Sequence, residues 1–557
     1  MRRILLAISL CLLTALAALG QIGSKIPQPV DPFQIKRGSS FIASGGSSGG
    51  GASSTVSVSR LGSDISEAEE IIRGNFVNSR AVTSDDMTKN ALEGALRVLD
   101  PHSNYYNPRD WADLMDEEQS GYSGIGATIA NFDRDGVTDT YVLAVYPNSP
   151  AARARLKYGD KIVAIDGEKM TGRDSEDVRD RIRGGLGSVI KLTVERASTL
   201  RQETIEMRRG RVPQPSIPDA YILRPGIGYI ELSEGFNYTT YDEMDYAIRE
   251  LKKRGMRSLV LDLRGNGGGI VDQAVKVAER FLPAGTLILT QKGRSRIDNR
   301  VWRSGNASAE TMPLVVLVDE ETASASEILT GALQDNDRAL IVGTRTFGKG
   351  LVQSVIDLPY RTGLTLTTAR YLTPSGRSIQ RDYSKIDTYD YFNHKSPAAA
   401  IDKPMFAAHT VTDRTVYGGD GILPDEVVRP DPTSRQQSAL IDPMFFYVRD
   451  LLNGRVSGFV RNAAFDTRPD ISSDVVNSNF AAFLGSGPWK VNSRVIASEA
   501  KFISLRLNYY ASLATAGSNS AQQLLIQEDP QVAKAVESLP RSAQLAQKAD
   551  NVRRQNK

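Results

Sequence analysis

Two short apolar runs frame the most constrained stretch of the chain, from Leu314 to Gln353. Leu314 to Val318 reads as a buried strand and Ala339 to Val342 as a second. A polar turn, Asp319 to Ala323, leads from the first strand into a helix that begins near Ser324. These runs continue an alternation that starts near residue 211, with strands at 226–232, 258–264 and 286–291 and helices at 241–255 and 271–282, which points to an α/β core with largely parallel strands. A serine on a sharp strand-to-helix turn is well placed as a nucleophile, because the free N–H groups of the first helical turn can stabilise an oxyanion. Ser324 is the candidate. The loop after the second strand carries Lys349, and Gln353 follows four residues later.

A serine nucleophile needs a base. The chain has three histidines, His102, His394 and His409, and none falls in the strand-and-helix core read from the sequence. A Ser-Lys pair is therefore favoured over a Ser-His-Asp triad. Lys349 must then be neutral at working pH, which requires burial away from carboxylates. Gln353 would hold the amine by hydrogen bonding, since a spacing of four places it on the same face as Lys349 in a strand or a helical turn. The spacing alone also admits a plainer reading, with Ser324 as an N-cap and Lys349 as a solvated side chain.

The run TASASEILTGALQDNDRALIVGTRTFGKGLVQ, Thr322 to Gln353, resembles the signature of the C-terminal processing peptidases, or tail-specific serine proteases. The resemblance extends to LDLRGNGGG at Leu261–Gly269, to a PDZ-like segment before it and to VYGGDGILPD at Val416–Asp425. It implies Ser324 as nucleophile, Lys349 as general base and Gln353 as the support of the lysine. It also implies an oxyanion hole from the N–H groups of Gly268 and Ala325, and a crotonase-like core of spiralling β-β-α units. The rival Ser326 points in another direction on the helix. Read without the family, LDLRGNGGG is a strand ending in a glycine loop that can cradle an anion. It matches neither the P-loop nor the dinucleotide-binding spacing.

The PDZ-like segment, 119–210, implies capture of an extended C-terminus by strand addition, with the carboxylate held by the loop Gly124, Ile125, Gly126 and Ala127. Arg155 stands where the family usually has glycine. The helix DSEDVRDRIRGG, Asp174 to Gly185, would flank the groove. The expected partners are proteins or peptides with apolar C-terminal tails, with a homo-oligomer or an adaptor protein in addition. A net charge of +3 on 557 residues argues against a nucleic-acid role. No metal or organic cofactor is implied.

Arg2 and Arg3 precede an apolar run, Ile4 to Leu16, and small residues up to Gly20, the pattern of a secretory signal peptide over 1–20. The only cysteine, Cys11, lies inside it. Residues 21–63 read as a flexible linker rich in glycine and serine. Residues 64–118 read as helical, with a capping box at Ser66 and Glu69 and an apolar stripe of Met87, Ala91, Ala95 and Leu99. His102 reads as structural. The peptidase core is expected over 211–435, with a hairpin turning at Arg361–Gly363 and an insertion over 381–414, and a helical region over 436–557. The chain thus reads as an exported serine endopeptidase, with the periplasm as the default location and a released or surface-attached form as the alternatives. The alternatives are a catalytically silent PDZ scaffold, disfavoured by the three catalytic residue types, and a crotonase-type thioester enzyme, disfavoured by the export signal.

Overall fold

The computed structural model describes residues 58–77, 83–384, 388–393, 406–456, 474–489 and 491–555. The signal-peptide reading, His394 and most of the linker lie outside the described residues.

A six-stranded sheet organises the core, in the order 219–224, 227–231, 258–262, 314–318, 340–343, 426–427. Its first pair is antiparallel and the remaining four pairings are parallel. The apolar runs read as strands are Ser258–Asp262, Leu314–Val318 and Leu340–Gly343. Their side chains alternate between two cores. Leu259, Leu261, Leu314, Val316, Val318 and Ile341 face one, and Val260, Val315, Leu317 and Val342 face the other. Strands buried on both faces carry no polar alternation, which is why they read as continuous apolar runs.

The first core holds the helices Thr240–Lys253, Val271–Phe281 and Ala325–Asp335. Every residue of the last is buried. It packs on the Val271–Phe281 helix and on strands of both sheets. The second, antiparallel sheet is built from 104–106, 362–372, 287–293 and 300–303, with 351–358 paired to 362–372. The hairpin turns at Pro359–Arg361, two residues before the expected Arg361–Gly363, because Thr362 and Gly363 already pair with Leu358 and Asp357 in the ladder.

Residues 121–213 form a separate β unit. Ala127–Arg134, Val137–Val145, Lys161–Ile165, Val189–Glu195 and Gln202–Arg208 make its sheet, and Gly121–Gly124 pairs with Gly210–Pro213 at its base. Ala127–Arg134 is an edge strand, and the helix Ser175–Ile182, capped by Asp174, lies against it. Arg155, where glycine was expected, takes φ 56°. That left-handed conformation costs a residue with a Cβ about 1 kcal/mol.

Two sequence expectations for the N-terminal helices fail. The first helix runs Val58–Asn75, so Ser66 lies inside it and bonds back to the Gly62 carbonyl instead of capping. It also begins six residues inside the span read as linker. In the second helix, Ser84–Arg97, Ala91 and Ala95 are exposed and Leu96 is the buried residue; Leu99, beyond its end, is 59% exposed. A four-residue repeat marks a face, but only a partner makes that face a core.

The C-terminal helices bind both units together. Phe445, in helix Arg435–Leu452, stacks on Phe132 of the edge strand at 3.7 Å between ring centroids. Arg449 donates to the Gly159 carbonyl and pairs with Glu195. Val532, Ala535 and Leu539 of helix Pro530–Gln555 cover the outer face of the six-stranded sheet. Phe445→Ala would remove a fully buried ring at this junction and is expected to cost about 3 kcal/mol. Denaturant unfolding should show the loss, with the transition of the 121–213 unit lowered most.

Candidate active site

The turn between Leu314–Val318 and the Ala325–Asp335 helix is fixed by Asp319 and Thr322. The Asp319 carboxylate accepts from the N–H groups of Gly265, Glu321 and Thr322, and the Thr322 hydroxyl lies against the Leu263 carbonyl. The chain then enters the helix through Ser324 at φ 61°, ψ −113°, a sparsely populated conformation for a residue with a side chain. Such backbone costs about 1–3 kcal/mol and persists only where its surroundings hold it. Ser324 is fully buried, and its Oγ has no hydrogen-bond partner. Ser326 differs: its hydroxyl donates to the Asn266 carbonyl at 3.0 Å.

Glu327 is the clamp. Its Oε2 accepts from the Ser324 N–H at 2.8 Å and from the Lys349 N–H at 2.9 Å. Its Oε1 accepts from the Gly348 N–H at 2.8 Å and from the Thr346 hydroxyl at 2.5 Å. Thr346 Oγ1 in turn accepts from the Ile422 N–H, so its proton is committed to Glu327. Burial pushes the Glu327 carboxyl above its usual range, and the four donors work against that. Four donors leave no lone pair for a proton, so the group is held as a carboxylate. The backbones of Ser324 and Lys349 thus meet at a single oxygen atom. The Tyr371 hydroxyl adds a second link, facing the carbonyls of Ser324 and Lys349 together.

The glycine loop abuts the serine turn. A Cβ on Gly268, which has φ 109°, would lie 2.8 Å from Ser324 Cβ and 3.0 Å from Ala325 N. Only glycine permits this approach. Asn266 stitches the two loops: its carbonyl accepts from Ala323 N–H, and its Nδ2 donates to the Leu232 carbonyl. Its Oδ1 accepts from the Gly268 N–H at 2.9 Å. The Gly268 donor is therefore already engaged, whereas Ala325 N–H opens the helix as an orphan of its first turn.

Lys349 is 4% exposed, although it sits between two glycines in a loop. Burial lowers its ammonium to about 8, against the opposing charges of Asp100 and Glu327. Gln353 is buried on strand Leu351–Leu358; its Nε2 donates to Thr367 Oγ1, and its Oε1 is buried with no partner. An unfilled acceptor there suits a donor such as a lysine amine. His102, read as lying outside the core, is fully buried beside the lysine loop. Burial, then the Lys349 and Arg381 charges, hold it well below the usual imidazole range. In the β unit, Gly126 takes φ 75°, and a Cβ there would lie 2.4 Å from Ser149 Cβ. The carbonyls of Ile125 and Gly126 accept from Ala151, Tyr146 and Ser149, which braces the loop that Gly124 opens and Ala127 closes.

The signature of peptidase family S41 matches residues 226–388, and that of a PDZ domain matches residues 141–196. A carboxy-terminal-processing protease of Bartonella bacilliformis is 36% identical over 317 residues, 55% of this chain and 70% of its own. The chloroplastic C-terminal processing peptidase of Tetradesmus obliquus is 34% identical, over 56% of this chain and 69% of its own. The carboxyl-terminal-processing protease of Picosynechococcus sp. is 33% identical, over 56% and 74%. The chain belongs to the carboxy-terminal-processing proteases of peptidase family S41. It is a serine-type protease with a PDZ domain, and the 121–213 unit contains that domain's match.

The roles of Glu327, Asn266 and Tyr371 and the position of His102 do not follow from the sequence alone. The Ser324–Glu327 spacing was a visible signal for Glu327, since serine followed three residues later by glutamate marks a reciprocal cap. Asn266 and Tyr371 act through backbone contacts with distant segments, which leave no local pattern. Glu327→Gln would turn an amide N–H2 toward backbone donors. We expect about 3 kcal/mol of lost stability by denaturant unfolding. Displacement of both loops should also slow peptide cleavage roughly a hundredfold.

Proposed function

We propose that this protease is an exported endopeptidase that recognises substrate C-terminal tails through its PDZ domain and cuts near them by a Ser-Lys mechanism. One observation carries the reading: Ser324, with a buried, unpartnered hydroxyl, and Lys349, a buried and weakened base, are anchored through their backbone N–H groups on one oxygen of Glu327. Neutral Lys349 takes the Ser324 proton as Oγ attacks the scissile carbonyl carbon. The oxyanion that forms faces the N–H of Ala325 and a donor of the glycine loop, with Gly268 serving once its N–H shifts from Asn266. As the C–N bond breaks, the Lys349 ammonium returns the proton to the leaving amine. Lys349 then takes a proton from water as the water attacks the acyl carbon, the bond from that carbon to Ser324 Oγ breaks, and the ammonium returns the proton to Oγ. Gln353 Oε1 accepts from the amine and orients it. A silent scaffold would have no reason to retain a strained serine beside a desolvated lysine.

The proposed core is the crotonase-like β-β-α spiral, supported by its alternation of parallel strands and helices from 227 to 343. An apolar tail preference is supported by Ile125, Ala127, Ile129, Val178 and Ile182, which cluster where the edge strand meets the flanking helix. Export to the periplasm rests on the leader sequence. A homo-oligomer or an adaptor remains part of the proposal.

Cleavage of an unfolded protein with an apolar C-terminal tail tests the mechanism. Ser324→Ala and Lys349→Ala should each fall to background, while Ser326→Ala slows at most a few-fold. Persistent cleavage by Ser324→Ala would move the nucleophile elsewhere. The rate should rise with pH through about 8, as Lys349 loses its proton.

Ile129→Lys puts a charge into the proposed groove. It should raise KM for the tailed substrate about tenfold and leave an untailed peptide unaffected; equal KM values for both would remove the groove from the reading.

A further inference from the structure

Lys349 lies in a glycine-flanked loop, yet it is almost wholly buried. Its immediate neighbours are tied to residues that follow the strand hairpin. The Gly348 carbonyl accepts from the Arg381 N–H at 2.8 Å, and the Gly350 N–H donates to Gln380 Oε1 at 2.8 Å. Gln380 Nε2 donates to the Tyr391 hydroxyl at 3.2 Å, and that hydroxyl lies 2.9 Å from His102 Nε2. Tyr391 belongs to a short helix, Thr388–Phe392, within the span read from sequence as an insertion of unknown role.

The rings interlock beside the lysine. Tyr391 meets Phe347 edge to face at 5.5 Å between centroids, and His102 packs on Phe347, Tyr391 and Phe392. The Arg381 guanidinium sits over Phe347 and Tyr391 at 4.5 and 4.6 Å. Asp100 fixes the turn that delivers His102, accepting from the N–H groups of His102 and Ser103 and from the Ser103 hydroxyl.

We propose that His102 and Tyr391 form an aromatic cover over the Lys349 loop and act as positioning residues that keep water from the amine. This cover presupposes the Ser-Lys reading above and adds the device that makes the lysine usable as a base. The groups that face the lysine sort cleanly. Asp100, from the turn before strand 104–106, and Glu327, from the central helix, both favour the ammonium. His102, kept neutral by burial, supplies bulk without a counter-charge, and Arg381 places its charge over the rings. Two carboxylates would hold a solvated lysine protonated; exclusion of water reverses that balance.

The test is the pH dependence of kcat/KM on a tailed substrate for the full chain, in wild type, Tyr391→Ala, Tyr391→Phe and Lys349→Ala. Opening the cover in Tyr391→Ala should move the midpoint up by about one pH unit. That gives roughly tenfold slower cleavage at pH 7 and near wild-type rates at high pH. Tyr391→Phe keeps the ring and should move the midpoint less. A residue that serves packing alone would slow cleavage equally at every pH, and an unmoved midpoint in Tyr391→Ala overturns the cover. If Tyr391→Ala does not fold, Phe392→Ala opens the same wall and is read the same way. Undiminished cleavage by Lys349→Ala would instead sink the Ser-Lys reading. An inactive Lys349→Ala with an unmoved Tyr391→Ala midpoint sinks the cover only.

Discussion

The buried carboxylate of Glu327 is the constraint on which the site depends. It gathers the N–H groups of Ser324, Gly348 and Lys349 and the hydroxyl of Thr346 around two oxygens. No neutral side chain offers four acceptor positions in that space. Taking a carboxylate out of water is costly, and these charge-assisted bonds offset the cost. The strained backbone of Ser324 is held by the same group, because its N–H is one of the four donors. A helix start that would otherwise be an ordinary cap becomes a fixed presentation of an unpartnered hydroxyl.

The glycine loop is held from the other side. The Phe236 N–H donates to the Gly268 carbonyl, and Ile270 N–H donates to the Phe236 carbonyl. The same 233–240 segment grips both strands of chain that enter and leave the β unit. Ser120 meets Thr239, Gln214 bonds Glu234, and Asn237 bonds the Gln214 carbonyl. The base of the PDZ domain and the brace of the glycine loop are therefore one segment. The C-terminal helices add a second tie, with Phe445 and Arg449 on the β unit and Arg264 paired to Asp529 beneath the glycine loop.

Much of the core was legible because strands buried on both faces must be apolar throughout. Leu314–Val318 and Leu340–Gly343 stand within a residue or so of their expected bounds. The turn chemistry of Asp319 to Ala323 pointed at Ser324 for the same local reason. The N-terminal stripe misled, since the exposure of Ala91, Ala95 and Leu99 depends on what packs nearby rather than on period. His102 reads from sequence as structural and outside the strand-and-helix core, yet strand 104–106 pairs with 362–372 and carries it to the lysine loop.

By itself the sequence determined the elements whose cause is local: the apolar strands, the serine at a helix start, the glycine loop and the family to which these motifs belong. Tertiary structure alone decided the state of each group. Whether Lys349 is a solvated cation or a desolvated amine depends on water excluded by rings from residues 102, 347, 391 and 392. Whether Ser324 or Ser326 is free depends on the Asn266 carbonyl, which takes the second and leaves the first. Desolvation and hydrogen-bond satisfaction are properties of the whole neighbourhood, and a neighbourhood assembled from segments hundreds of residues apart leaves no local trace.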